Sequence, residues 1–398
     1  MPSLRLLRWD AHNFNQEKGE VITASISKDI LRRAAKIARK SGKADEMVTV
    51  AVDAAGGDKG MLVNIEAAYR AIKRVPKLKI VLVGHQAKIR EHLTQLHVPS
   101  DRVEIVHAEK TVEMGSSAIE AARDSETSIA KGVELIKQHQ ADAFISVGHT
   151  GAVAASAVLR LGMLSGIERP GILALFPTMG GHQIAVIDVG ATTDCKPHNL
   201  VQFAVIGSEY VKHLLGYENP KIGLLSIGEE PSKGNAVVKK AHAILKESAE
   251  TLGINFVGNI EGRDILSGNV DVLVCDGFVG NILLKYTESI YSIVKQLMHK
   301  GRRISILSLI GFAFLYPAIR RTLRNYNYAE YGGAPLLGVD GNIIVGHGLS
   351  SSKAIQNAII MAYEMALVNL PLELRKAAKK LEVLNIEVKN SRHRVKVT

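Results

Sequence analysis

Short apolar, β-branched runs that close on glycine or aspartate recur along most of the chain. VTVAVD (48–53), KIVLVG (79–84), FISVG (144–148), IAVIDVG (184–190), KIGLLSIGEE (221–230) and VLVCDG (272–277) all read this way. Between them lie stretches of helical spacing, such as IEAAYRAIK (65–73) after the glycine turn of AAGGDKG. Strands alternating with helices predict an α/β protein with a largely parallel sheet and helices on its faces. Ligands of such sheets bind beyond the carboxyl ends of the strands, so a site is expected at the glycine-rich exits.

Two segments depart from that rhythm. SISKDILRRAAKIARKSGK carries Lys28, Arg32, Arg33, Lys36, Arg39, Lys40 and Lys43 against the single Asp29. Ile30, Ala34 and Ile37, with Leu31, Ala35 and Ala38, recur at helical spacing, so a basic amphipathic helix is expected there. Contact with a membrane surface or an acidic partner is one reading of it; a solvated accessory helix is the other. In residues 300–324, the mostly apolar run from Ile304 to Tyr316 lies between Lys300, Arg302, Arg303 and Arg320, Arg321, Arg324, with no acid. A spanning helix needs about 20 apolar residues, so the run is too short to cross a bilayer. It suits a helical segment dipping into the membrane interface through Ile306, Leu307, Leu309, Ile310, Phe312, Phe314 and Leu315. An ordinary core or dimer-interface helix is the alternative. The tail from Leu372 is basic and polar at its end and reads as accessory.

At 398 residues the chain exceeds what one hydrophobic core usually serves, so two lobes are expected. Two cysteines, Cys195 and Cys275, allow neither a disulfide framework nor a metal-ligand pattern, which fits a reducing cytosol. The N-terminus lacks an apolar core before a small-residue cleavage site, so no signal peptide is expected. The net charge of +11 favours acidic partners without choosing among protein, lipid and nucleic acid. With 5% aromatic residues and no recognisable motif, a nucleic-acid platform is not expected.

Residues 270–285, VDVLVCDGFVGNILLK, put a strand, a GxxG loop and a helix in succession. The same arrangement occurs in ADAFISVGHTGA (141–152), at a constant offset of 129: Asp142 falls on Asp271, Gly148 on Gly277 and Gly151 on Gly280. Either convergence on a common turn or a true repeat accounts for this. A repeat would give two equivalent units, each presenting one loop to a shared cleft.

Seven blocks occur in order from about residue 48 to about residue 370: VAVDAAGGDKG, SVGHTGA, IDVGATTDCKPHNLVQFAVIGSEY, LLSIGEEPSKGN, GNIEGRDI, CDGFVGNILLK and EYGGAPLLGVDGNIIVGHG. Together they closely resemble the bacterial phosphate acyltransferases of glycerolipid synthesis, the PlsX family. The resemblance implies reversible transfer of a long fatty acyl group from acyl carrier protein to inorganic phosphate. The acyl phosphate then feeds a membrane glycerol-3-phosphate acyltransferase in phospholipid synthesis. It also implies a three-layer, Rossmann-like α/β sandwich of two lobes, similar to the isocitrate dehydrogenase and phosphotransacetylase fold. A homodimer in the cytoplasm, peripherally associated with an anionic membrane surface, is implied as well. The expected organisation is a basic extension (1–47), a catalytic unit (48–370) with the 300–324 segment at its tip, and a basic tail (371–398). The chain departs from the family in placing His149 where GNTGA has an amide, and Ala55 where DAMGGD has a methionine.

Phosphate attack on a thioester needs donors for the phosphate oxygens and for the carbonyl oxygen as it becomes an oxyanion. Backbone N–H groups of glycine loops at helix starts can serve the phosphate. The phosphate- or substrate-binding candidates are Gly56, Gly57, Gly148, Thr150, Gly151, Asn259, Asp276, Gly277 and Gly280, with His347 on the site wall. Asn281 is read as a donor to the carbonyl or phosphate oxygen, and Lys285, one turn on, as a neutralising charge or a surface lysine. His149 is read as a donor or proton carrier to the departing sulfur, or as structural. Arg263 is a phosphate ligand, or a partner of Glu261 or Asp264. Asp53, Asp58, Asp188 and Asp276 end strands and are expected to orient donors or cap helices. Cys275 lies in an apolar run with no adjacent histidine, so a covalent cysteine is not expected. No zinc spacing, calcium loop or GxGxxG appears, so neither metal nor cofactor is expected. An acyl-coenzyme-A-dependent phosphotransacetylase and a non-catalytic membrane scaffold are the competing readings.

Overall fold

The computed structural model describes residues 45–98, 101–178, 182–300 and 332–395, with positions 33, 36, 37, 39, 40 and 42 of the N-terminal segment. The membrane-contact residues Ile306 to Leu315 lie outside the described residues. In chain order the elements are β1 (Val48–Asp53), α1 (Met61–Arg74), β2 (Leu78–Gly84), α2 (Gln86–Gln95), β3 (Val103–His107), α3 (Ala118–Arg123), α4 (Ser128–Lys137), β4 (Ala143–Ser146) and α5 (Thr150–Leu161). The hairpin β5 (Gly171–Pro177) and β6 (Gln183–Ile187) follows, then α6 (Pro197–Tyr210), β7 (Lys221–Ser226), α7 (Ala236–Leu252), β8 (Asn255–Glu261), β9 (Val272–Val274) and α8 (Gly277–Lys300). A second hairpin, β10 (Ala334–Leu337) and β11 (Asn342–Val345), leads into α9 (Ser352–Leu367) and α10 (Leu370–Val395).

Among the described residues, eleven strands form one sheet in the order β3-β2-β1-β4-β11-β10-β5-β6-β9-β7-β8. Alternate residues of each strand face opposite layers, as the two-residue period of a strand requires. On β1 and β2, Val50, Val52, Ile80 and Leu82 pack under α1, α6, α7, α9 and α10. Ala51, Val81 and Val83 join the other face with residues of α3, α4 and α5. The result is the expected three-layer sandwich.

Apart from the edge strand β3, the strand order is symmetric about the β10–β5 pair. β1, β2, β4 and β11 correspond to β7, β8, β9 and β6, and the hairpin β10–β11 corresponds to β5–β6. Because β5 runs antiparallel to both β10 and β6, the two halves run in opposite senses. This is what a twofold normal to the sheet produces. The sequence echo falls on equivalent positions, since β4 and β9 are partners in this symmetry. Asp142 accepts the Thr49 N–H at the start of β1 (2.8 Å), and Asp271 accepts the Lys221 N–H at the start of β7 (2.8 Å).

The expected basic helix is present at the described positions 33, 36, 37, 39 and 40. The C-terminal segment differs from the accessory tail read from its charge. It forms α10, whose first half packs into the core through the buried Leu370, Leu374, Ala378 and Leu381. Their spacing of four, four and three is that of an apolar stripe, which the many lysines on the other faces obscure in a composition count.

Candidate active site

Three neighbouring strand exits, from β1, β4 and β11, are tied into one loop cluster. Asp53, buried at the end of β1, accepts the N–H groups of Ala55 and Gly56 (both 3.1 Å) and the hydroxyl of Ser146 (2.7 Å). The Ser146 oxygen in turn accepts the Gly148 N–H (3.0 Å). Burial raises the Asp53 pKa, against the pull of these donors. Asn64, on α1, donates to the carbonyls of Ala54 (3.0 Å) and Gly56 (2.8 Å), holding the AAGGDKG turn from behind. The Asp58 N–H donates to the Gly348 carbonyl (2.9 Å), joining the β1 and β11 exits. His347 is exposed on the last of these loops, and its Nδ1 accepts the Leu349 N–H.

His149 is the N-cap of α5. Its Nδ1 accepts the Ala152 N–H (3.1 Å), as the oxygen of an asparagine would. That bond places the proton of the neutral ring on Nε2, a donor that the helix does not use. The substitution of an amide by histidine in this loop is thereby explained, because both side chains pair an acceptor for the helix with a donor beyond it.

The second cluster lies at the exits of β6 and β9. The buried Asp188 carboxylate accepts the N–H groups of Ile172, Gly190 and Ala191 (each 2.9 Å) and Thr192 (2.6 Å). Burial raises its pKa, and the four backbone donors oppose the rise. The helix α8 presses on this loop. The Gly277 N–H donates to the Thr192 carbonyl (2.9 Å), and a methyl group on Gly280 would overlap the Asp188 carbonyl oxygen. Asn281 stands beside Gly190, whose Cβ, if present, would lie 3.7 Å from the amide oxygen. Lys285 is exposed one turn further on. Asp276 caps α8 by accepting the Val279 N–H (2.9 Å), which leaves it a positioning role at the loop.

The glycines serve close packing more than donation. The N–H groups of Gly56, Gly148, Gly277 and Gly280 all go to the protein's own acceptors. Asn259, a substrate-binding candidate from the sequence, is buried and spent: its oxygen meets His242 Nδ1 (2.9 Å) and its amide donates to the Glu230 carbonyl (2.9 Å). Arg263 pairs with Glu261 (3.0 Å) but is 74% exposed, so part of its guanidinium faces solvent. Burial pushes the thiols up, Cys195 to about 12 and Cys275 well above its ordinary value, with Asp188 adding to both shifts. Neither thiol is poised as a nucleophile. Ser146 and Asn64 escaped the sequence reading; a serine two residues before a GxxG loop is the only trace the first leaves.

Gly56, Gly57, Gly148, His149, Thr150, Gly151 and His347 belong to the first group of exits, and Asp276, Gly277, Gly280, Asn281 and Lys285 to the second. Asn259 and Arg263 lie at the end of β8, and among the described residues no hydrogen bond or ion pair ties them to that second group. No hydrogen bond among the described residues joins the 148–151 loop to the 277–281 loop.

The sandwich has the fold of solved phosphotransacetylases. The solved phosphotransacetylase from Streptococcus pyogenes matches 86% of this chain and 98% of its own, with a TM-score of 0.58 and 17% identity. The EutD phosphotransacetylase from Staphylococcus aureus matches with a TM-score of 0.56 at 16% identity, over 85% of this chain and 98% of its own. At such identities the likeness concerns the fold. The family model "Fatty acid synthesis protein" matches residues 48–372. A phosphate acyltransferase of a Nitratiruptor species is 42% identical over 331 residues, covering 83% of this chain and 98% of the relative. One from Nostoc punctiforme is 46% identical over 319 residues, covering 80% and 92%. The chain belongs to the phosphate acyltransferase family.

Proposed function

We propose that the protein transfers a long-chain fatty acyl group reversibly from acyl carrier protein to inorganic phosphate, giving acyl phosphate for phospholipid synthesis. The observation that carries this reading is identity above 40% across nearly the whole length of relatives named phosphate acyltransferase. In the step itself a phosphate oxygen attacks the thioester carbonyl carbon. The C–O bond forms, the C–S bond breaks, and the proton shed by the attacking hydrogen phosphate ends on the departing thiolate. In this reading His149 Nε2–H hydrogen-bonds the sulfur as charge builds on it, and Asn281 donates to the carbonyl oxygen. Lys285 and the outward part of Arg263 offset the phosphate charge.

Sheet twist supports a cleft shared by the two clusters. β4 and β9 are five steps apart in an order whose strands rotate by roughly 20–25° per step, giving roughly 100–125° in all. Opposite-running strands turned by that amount send their exits toward the same side. A homodimer, and peripheral membrane contact through residues 304–316, belong to the same proposal.

The test is consumption of palmitoyl-acyl carrier protein with and without inorganic phosphate, beside palmitoyl-coenzyme A. Phosphate-dependent loss of the carrier thioester alone is the expected result. Loss with coenzyme A instead would transfer the reading to a phosphotransacetylase, and loss of neither would favour a scaffold. Asn281→Ala should lower kcat by roughly 10²–10³-fold, the effect of removing one oxyanion donor. Full activity in that variant would remove Asn281 from the site.

A further inference from the structure

Glu364 lies on the core side of α9 with its side chain fully buried. A buried carboxylate needs a hydrogen-bonded charge partner. Its partner comes from 331 residues away, in the segment that precedes the region matched by the family model. Arg33 donates through Nε to both carboxylate oxygens (3.1 Å each) and through Nη2 to one of them (2.7 Å). Tyr210, the buried last residue of α6, is close enough to feel both charges. Burial raises the Glu364 pKa, while Arg33 pulls it back down.

One helical turn after Arg33, Ile37 is also buried, within the core cluster that contains the residues of α1, α6 and α9. Arg33 and Ile37 therefore share the inward face of the N-terminal helix. Lys36, Arg39 and Lys40 lie exposed on its other faces. The face that would enter a lipid interface is thus already occupied by the protein's own core.

We infer that this basic helix is an intramolecular strap, seated on α9 beside Tyr210 and locked by the Arg33–Glu364 ion pair. Its inward face is committed to the fold and does not serve as a free arm for a membrane or another protein. The strap gives the buried Glu364 its counter-charge, and it ties the extension to the helix that follows the His347 loop.

The test uses the full chain in four forms: wild type, Arg33→Met, Glu364→Met and the double variant, followed by thermal midpoint and by trypsin cleavage mapped by mass. Arg33→Met strands a buried carboxylate, so it should lower the midpoint and expose Lys36, Arg39 and Lys40 to rapid cleavage. The double variant replaces the pair by two apolar side chains and should regain most of the midpoint and the protection. An unchanged midpoint in Arg33→Met, or a double variant no better than that single variant, would overturn the strap. So would wild-type cleavage at Lys36–Lys40 as fast as in Arg33→Met. Arg33→Lys, which keeps the charge but loses the paired donors, should fall between wild type and Arg33→Met.

Discussion

At the scale of single residues, charge burial and capping decide what the loops can do. His149 is bound to its helix through Nδ1, so His149→Ala should cost about 0.5–2 kcal/mol of stability, the usual value of an N-cap. His149→Asn should restore it, as read by urea denaturation. Asp53 contributes through pH. Its folded pKa is raised above the ordinary 3.8, so between these values the native state holds a proton that the unfolded chain has lost. The associated stability is full below 3.8 and is lost as pH rises through the raised folded value. Wild type should therefore lose stability relative to Asp53→Asn as pH rises through that window, in denaturant titrations at a series of pH values. A difference that stays flat would mean the carboxyl is not shifted. Asp53 and Asp188 were legible as strand-ending aspartates that orient donors. That four backbone N–H groups converge on Asp188 was not, because three of them come from its own turn and one from β5.

At the scale of elements, the strand–loop–helix rhythm was readable because apolar runs bounded by glycine leave a local record. The function of the glycines was not local. Gly280 is needed because α8 crosses the backbone at the end of β6, a contact between segments far apart in sequence. Gly280→Ala should cost roughly 1–3 kcal/mol as an overpacked contact and loosen the Asn281 loop. Gly262→Ala, where an added methyl meets nothing within 4 Å, serves as the tolerated control in the same unfolding measurement. The basic character of the N-terminal helix and of α10 was visible, but charge says which face is wet and not what the dry face touches. Ile37, Leu374 and Leu381 gave the dry faces their partners only once the helices were packed.

At the scale of the whole molecule, the net charge of +11 bears on the acyl donor. If an acidic carrier protein delivers the acyl group, KM for the carrier thioester should rise with ionic strength while kcat holds, since screening weakens long-range steering. Steady-state kinetics across a salt series measure this, and a flat KM would argue against charge-guided delivery. The sequence by itself determined the α/β class, the family and the succession of strand exits, because these are written in local periodicity and in motifs that each span a few residues. It also caught half of the symmetry, in the echo between 141–152 and 270–281. The tertiary structure alone decided the rest: the near-symmetric sheet, the seating of the N-terminal helix on Glu364, and which polar groups the protein keeps for itself. Those features depend on segments far apart in the chain meeting in a low-dielectric core, where each buried donor or charge must find its partner.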